Sequence, residues 1–226
     1  MIYLLLRCLV LGVIPASAAH ADLVCRWRFD EGSGTVAYDS SSNGHDGTIY
    51  GSPSWASGIG GNALEFDGTD DYVGTGESLL NNMSEFTLAC WVRAGNPGSS
   101  RVGLIGQNDL IEMGFMSGNV EMWTNVTSTT TTQWTFEDYT WHHIAVSGGA
   151  TGTKIYLDGE LAVTGRSSTN YGTSTFPVNI GGGGVWDASG NWFLGQIDDV
   201  RIYNHALLEI EILTAMEGAG EAWPYA

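Results

Sequence analysis

Two stretches of the sequence carry residue types able to hold a ligand. In Gly181–Trp192, two tryptophans, Trp186 and Trp192, flank Asp187 and Asn191. An aromatic face beside an amide and a carboxylate offers a sugar an apolar plate for its C–H side and hydrogen-bonding groups for its hydroxyls. Trp123 and Trp134 are further aromatic candidates. Packing is the competing reading, because a domain of this size buries several tryptophans. The glycine run Gly181–Gly184 is no phosphate cradle, since no helix pattern follows it and no Lys, Ser or Thr takes the required place. The second stretch is Phe193–Tyr203. Its apolar alternation through Phe193, Gly195 and Ile197 changes phase to Val200 and Ile202, so a strand here must slip by one residue at Asp198-Asp199. A bulge at that step is expected to turn one carboxylate outward.

Other reactive residue types point to less. Cys25 and Cys90 both fall on the apolar side of alternating segments, Leu23–Phe29 and Phe86–Val92, which leaves a disulfide and two buried free thiols as open alternatives. His142 and His143 are neighbours in a strand pattern and so face opposite ways, which rules against one shared metal site. No strand carries alternating carboxylates of the glycosidase kind; Glu209-Ile210-Glu211 comes nearest, on a helical pattern. No Gly-x-Ser-x-Gly or Cys/His nucleophile arrangement occurs.

The elements that must position these residues are short. After residue 22, alternating or apolar segments of four to eight residues are punctuated by Gly, Asn, Asp and Ser, the pattern of an all-β sandwich or barrel. About a dozen strands are expected, beginning with Val24–Asp30 and ending with Phe193–Ile197 and Val200–Tyr203. Asp158-Gly159 supplies the centre of a primed hairpin turn. One helix is expected over His205–Glu217, capped by Asn204, ended by Gly218, and docking through Leu207, Ile210 and Leu213 with Leu208, Ile212 and Met216.

The chain has 226 residues, 32 of them Gly, and a formal net charge of −17 from 25 acidic and 8 basic residues. With Lys154 its one lysine, it cannot present the basic stripe a nucleic acid needs, and an anionic membrane surface repels it. Arg7, the apolar run Cys8–Ile14 and the small residues Pro15–Ala21 read as an export leader over residues 1–21, too short for a spanning helix. The domain then spans residues 22–218, with a short tail over 219–226.

Four ordered segments, Trp27–Gly34, Asp39–Thr48, Gly61–Val73 and Gly195–Leu207, join Phe86–Val92, Trp141–Val146 and the Asp158-Gly159 hairpin in one pattern. Together they resemble the laminin G-like jelly-roll family of the concanavalin A-like lectin/glucanase superfamily. The resemblance implies a two-sheet antiparallel jelly-roll sandwich with one short C-terminal helix. It also implies that the carboxylate before Val200 meets the end of the first strand. A Ca²⁺ held by Asp30, Asp39, Asn43 and Asp198 is the expectation, against the alternative that these acids only cap turns.

The function expected from all of this is a secreted or cell-surface, non-catalytic binding module. Its partner would be an extracellular glycan or glycoprotein, met through Trp186, Asp187, Asn191 and Trp192, with Ca²⁺ supporting the fold. It would act as a monomer or within a larger surface assembly. Protein-mediated adhesion and a polysaccharide-degrading enzyme are the alternatives.

Overall fold

The computed structural model describes residues 23–95, 101–134 and 139–220. The expected leader, with Cys8, and residues 221–226 of the expected tail lie outside the described residues. Strands are numbered in chain order. The first sheet contains β1 (Leu23–Trp27), β4 (Ser54–Ser57), β5 (Asn62–Asp67), β7 (Phe86–Arg93), β12 (Trp141–Gly148), β13 (Lys154–Leu157), β14 (Glu160–Thr164) and β16 (Leu194–Tyr203). Its order is β14-β13-β12-β7-β16-β5-β4, with β1 also pairing with β16. The second contains β2 (Val36–Ala37), β3 (Gly47–Tyr50), β6 (Tyr72–Gly74), β8 (Arg101–Gln107), β9 (Ile111–Met116), β10 (Asn119–Thr124), β11 (Ser128–Gln133) and β15 (Val178–Ile180), in the order β11-β10-β9-β8-β15-β6-β3-β2. These paired strands run antiparallel.

The core lies between the sheets. Trp27, Phe66, Leu88, Cys90, Ile144 and Ile202 enter it from the first, and Ile105, Met113, Phe115, Val120 and Ile180 from the second. Alternation then fixes what faces outward: Glu112 and Gly114 on β9, Glu121 and Trp123 on β10. The expected phase change in β16 is a register shift between Asp198 and Arg201, with Asp199 at φ 46°. The two expected strands are therefore one strand crossing a bulge. Asp158 and Gly159 both take positive φ, as a type I′ hairpin turn requires.

Several expectations need correction. β1 stops at Trp27 instead of Asp30, because Phe29 adopts φ 51° and cannot continue a strand. The helix α1 spans Glu209–Glu217, starting four residues later than expected, and its N-cap is Leu208, not Asn204. Thr87 causes the delay: its Oγ1 donates to the His205 carbonyl and accepts from Leu207 N–H, holding that segment against β7. The Glu211 carboxylate accepts the Leu208 N–H at 2.8 Å, serving as the cap. Within the helix only Ile212 and Ala215 are buried, and Leu208 and Ile210 stay exposed at 65% and 55%.

The cysteine alternatives are resolved as well. Cys25 and Cys90 are both free and buried, on β1 and β7. β16 pairs with each of these strands and lies between them. Two strand spacings come to about 9–10 Å, beyond the roughly 7 Å reach of a disulfide. Burial raises both thiol pKa values, most strongly opposing the reactive thiolate. Neither thiol is expected to react with an alkylating reagent in the folded protein, and both should react in denaturant. Rapid modification of native protein would contradict this placement.

Candidate functional site

A cavity of about 220 Å³ opens at the β15-β6-β3 side of the second sheet, lined by Tyr50, Tyr72, Gly74, Pro177, Asn179 and Gly183 among others. Tyr50 and Tyr72 are cross-strand partners whose rings stack at 4.6 Å and 11°. Trp192 adds a third ring, 5.9 Å from Tyr72 and tilted by 37°. Tyr50 remains 46% exposed, so the aromatic wall is open to a ligand. Asn179 sits between Gly106 of β8 and Gly74 of β6 in register, and its Nδ2 donates to the Gly183 carbonyl at 2.8 Å. A Cβ on Gly74 would lie 3.2 Å from Asn179 Oδ1 and 3.3 Å from the Tyr50 ring, so glycine keeps this corner clear. Gly183, at φ 64°, lays its backbone against Tyr72, where a Cβ would come within 2.6 Å of the ring.

The loop between β15 and β16 forms the other wall of this cavity and also folds over the outer face of the second sheet. Val185 rests on Gly103 and Gly106, and Trp186 on Gly114, where a Cβ would meet the Trp186 Nε1 at 2.7 Å. Trp186 is only 3% exposed, donates its indole N–H to the Val102 carbonyl at 2.9 Å, and lies under the Arg101 guanidinium, 5.1 Å from the ring centre. That burial leaves Trp186 no face for a sugar, and packing accounts for it. Asn191 Nδ2 donates to Asp187 Oδ2 at 2.7 Å, closing the exposed end of the loop. Of the four expected ligand residues, Trp192 alone contacts the aromatic wall, packing against Tyr72 without itself lining the cavity. Tyr50, Tyr72 and Asn179 were missed. Their signal is alternation: Tyr50 follows Ile49 and Tyr72 precedes Val73, placing both tyrosines on the outer face.

The four residues expected to hold a metal fall into two groups. Asp30 and Asp198 both meet the turn from Gly58 to Asn62. Asp198 Oδ2 accepts Ile59 N–H at 2.9 Å, and Asp30 Oδ1 accepts Asn62 N–H at 3.1 Å. A Cβ on Gly58 would collide with Asp198 Oδ2 and the Asn62 carbonyl, and one on Gly61 with Asp30 Oδ1, so two glycines leave a cradle of oxygens open. Asp198 is 2% exposed, not turned outward to solvent as expected of one residue at the bulge. Burial, with Asp199 and Asp30 adding like charge, pushes its pKa up to about 7 despite the Ile59 hydrogen bond. Asp39 and Asn43 serve the β1–β2 loop instead. Asp39 accepts from Arg26 N–H, Ser41 N–H, the Ser41 hydroxyl and His45 N–H; burial opposes its charge, and these donors outweigh it and lower its pKa. Asn43 Nδ2 donates to the Leu23 and Val24 carbonyls.

The adjacent Asp199 has a contrasting environment. Its Oδ1 takes the Arg26 Nε at 2.6 Å and its Oδ2 the Arg201 Nη2 at 2.7 Å. Burial opposes its charge, but Arg201 and Arg26 prevail and hold its pKa below the ordinary aspartate value. The histidines divide as their alternation requires. His142 Nδ1 meets Asp158 Oδ2 at 2.8 Å, whereas His143 is buried against Trp91, and burial pulls its pKa down to about 4. Outside both groups, Asp67, Asp70 and Asp71 bring carboxylate oxygens together, and Asp71 is occupied with Ser52 N–H and Asp67 N–H.

Residues 67–213 match the Laminin_G_3 family model of the concanavalin A-like lectin/glucanases superfamily. The chain belongs to this family. Among solved structures, this chain is similar to domain 4 of AbnA, a GH43 extracellular arabinanase from Geobacillus stearothermophilus in complex with arabinotriose. That match has 20% identity and a TM-score of 0.69, covering 86% of this chain and 98% of that one. It is also similar to the binding domain of Paraclostridial Mosquitocidal Protein 1, at 15% identity and a TM-score of 0.65, covering 87% of this chain and 52% of that one. The binding domain of botulinum neurotoxin DC in complex with rat synaptotagmin II matches at 15% identity and a TM-score of 0.64, covering 89% and 52%. The chain thus spans about half the length of these two toxin domains. At such identities the likeness establishes the fold. Among curated proteins, none matches the sequence.

Proposed function

We propose that this protein is an exported, non-catalytic binding module whose cavity beside Tyr50, Tyr72 and Trp192 takes one uncharged sugar residue of an extracellular glycan. The observation that carries the reading is the Tyr50–Tyr72 aromatic wall beside the Asn179 amide, with no charged side chain among the described lining residues. A volume of about 220 Å³ suits one ring better than an extended chain. An arabinotriose-bound neighbour of the same fold and the net charge of −17, which repels uronates and sialic acids, support the same reading.

A Ca²⁺ ion at Asp198 and Asp30 completes the proposal. The fit rests on chemistry: Asp198 is a buried carboxylate with no ion-pair partner among the described residues, beside the Asn62 carbonyl oxygen in a turn kept open by glycines. When bound, the ion supplies charge neutralisation and joins β16 to the turn before β5.

Screening neutral and acidic glycans and then titrating the best by calorimetry tests the sugar reading. Tyr50→Ala or Tyr72→Ala is expected to weaken binding about 10- to 100-fold, corresponding to roughly 1.5–3 kcal/mol for a buried aromatic. Preference for acidic glycans, binding only to a protein partner, or release of reducing ends from a polysaccharide would overturn it.

A further inference from the structure

The loop that walls the sugar cavity packs beside two carboxyl groups that have no cation at contact distance among the described residues. Glu112 and Glu121 face outward from β9 and β10 and flank the same glycine: Glu121 is paired across from Gly114, and Glu112 lies two residues along the same face. Gly114 is the position Trp186 covers, and Gly106, paired with Glu112, is one of the positions Val185 covers. Glu112 and Glu121, beside the two glycines the loop covers, are only 3% and 6% exposed, and Asp187 of the loop is near enough to act on Glu112. The same loop supplies Gly183, Gly184 and Ala188 to the cavity lining and carries Trp192.

We propose that sugar binding is regulated by pH through this loop: it closes over Glu112 and Glu121 when they are protonated and releases the cavity wall when they ionise. The proposal rests on reading the cavity as the sugar site. Charges facing the pair come from each packed element. β8 gives Arg101, whose guanidinium is engaged with the Trp186 ring and stands 4.0 Å from Asp187; the β8–β9 turn gives Asp109, and the loop gives Asp187. Glu112 Oε1 accepts Asp109 N–H at 2.8 Å, and β11 presents only Thr129 and Thr131 across from Trp123 and Glu121. Burial raises both carboxyls. For Glu112, Asp109 and Asp187 add to burial, against the Asp109 hydrogen bond and Arg101, and its pKa reaches about 8; for Glu121 only Arg101 opposes burial.

The sign follows from linkage. An acid whose pKa is higher with the loop closed favours closure fully below its ordinary value of 4.5. That preference is lost as pH rises to the closed-state value near 8. Within that window the open population rises by up to about tenfold per pH unit for one carboxyl that becomes fully hydrated.

Hydrogen exchange in saturating Ca²⁺, corrected for intrinsic rates, reads the loop without any sugar. The amides of Gly183 and Phe193, bonded to the Gly190 and Gly181 carbonyls, report it. Their protection is expected to fall between pH 5 and 8 while amides of β7 and β12 hold theirs. Glu112→Gln should reduce the slope and Glu112→Gln with Glu121→Gln should remove it; Glu121→Gln alone gives a second single variant. A flat wild-type profile, or an unchanged slope in the double variant, overturns the switch. Glycan affinity measured over the same range separates the two claims. A pH-dependent loop with no sugar bound at pH 5 defeats the cavity reading, and sugar binding that ignores pH defeats the regulation.

Discussion

Saturating Ca²⁺ is expected to raise the thermal unfolding midpoint by about 5–10 °C at pH 8 and by much less at pH 5. A ligand bound only by the folded state at 100 times its Kd contributes about 2.7 kcal/mol, and a domain of this length shifts by roughly 2–4 °C per kcal/mol. The pH dependence comes from Asp198. Its pKa in the fold, about 7, lies above the ordinary aspartate value, because burial and the neighbouring Asp199 and Asp30 charges disfavour the anion. Without metal, the stability it contributes is complete below about pH 4 and is lost as pH rises to about 7. A cation reverses the balance by neutralising the ionised carboxylate, so the metal competes with the proton and has most effect above pH 7. Asp198→Asn should abolish the response to Ca²⁺ and, in chelator at pH 8, match or exceed the wild type. Equal midpoints in Ca²⁺ and chelator at pH 8, or an intact response in Asp198→Asn, would refute the site.

What the sequence revealed and what it concealed divide along physical lines. The β16 bulge was legible because an interrupted alternation is a local signal, and so was the Asp158-Gly159 turn, which needs two residues at positive φ. The sandwich followed from many such short signals in order. The aromatic cavity was barely legible: Trp192, which packs against Tyr72, was evident, but Tyr50 and Tyr72 are 22 residues apart and meet only because β3 pairs with β6. Trp186 misled for the reverse reason. Its loop looks polar and exposed, yet Gly103, Gly106 and Gly114 on two other strands form a bare patch that the indole and Val185 fill. Glu112 and Glu121 escaped a search for carboxylates alternating on one strand, since they lie on two. Long-range pairing decides such sites.

Asp199→Ala is expected to cost about 3–5 kcal/mol, the usual result of removing one partner from a buried ionic group, and to lower the unfolding midpoint by roughly 6–20 °C. Asp199 takes the Arg26 Nε on one oxygen and the Arg201 Nε and Nη2 on the other, all among side chains no more than 12% exposed. Its loss strands two guanidiniums in the interior. Arg26 Nη2 also donates to the Gly218 carbonyl at 3.0 Å, so the end of α1 should loosen with it. Replacing Arg26 with Met should cost less, because Arg201 still neutralises Asp199. The pH behaviour is opposite to that of Asp198. Asp199 has a lowered pKa, so its contribution is present above the ordinary aspartate value of about 3.9 and disappears as pH falls below it. A midpoint for Asp199→Ala within 2 °C of wild type, measured at pH 7 in Ca²⁺, would refute the assignment. Two adjacent residues of one type thus come to opposite environments through one bulge: the residue facing two arginines is satisfied within the protein, and the one facing the Gly58–Asn62 turn has no ion-pair partner among the described residues, which is why the proposed cation is placed there.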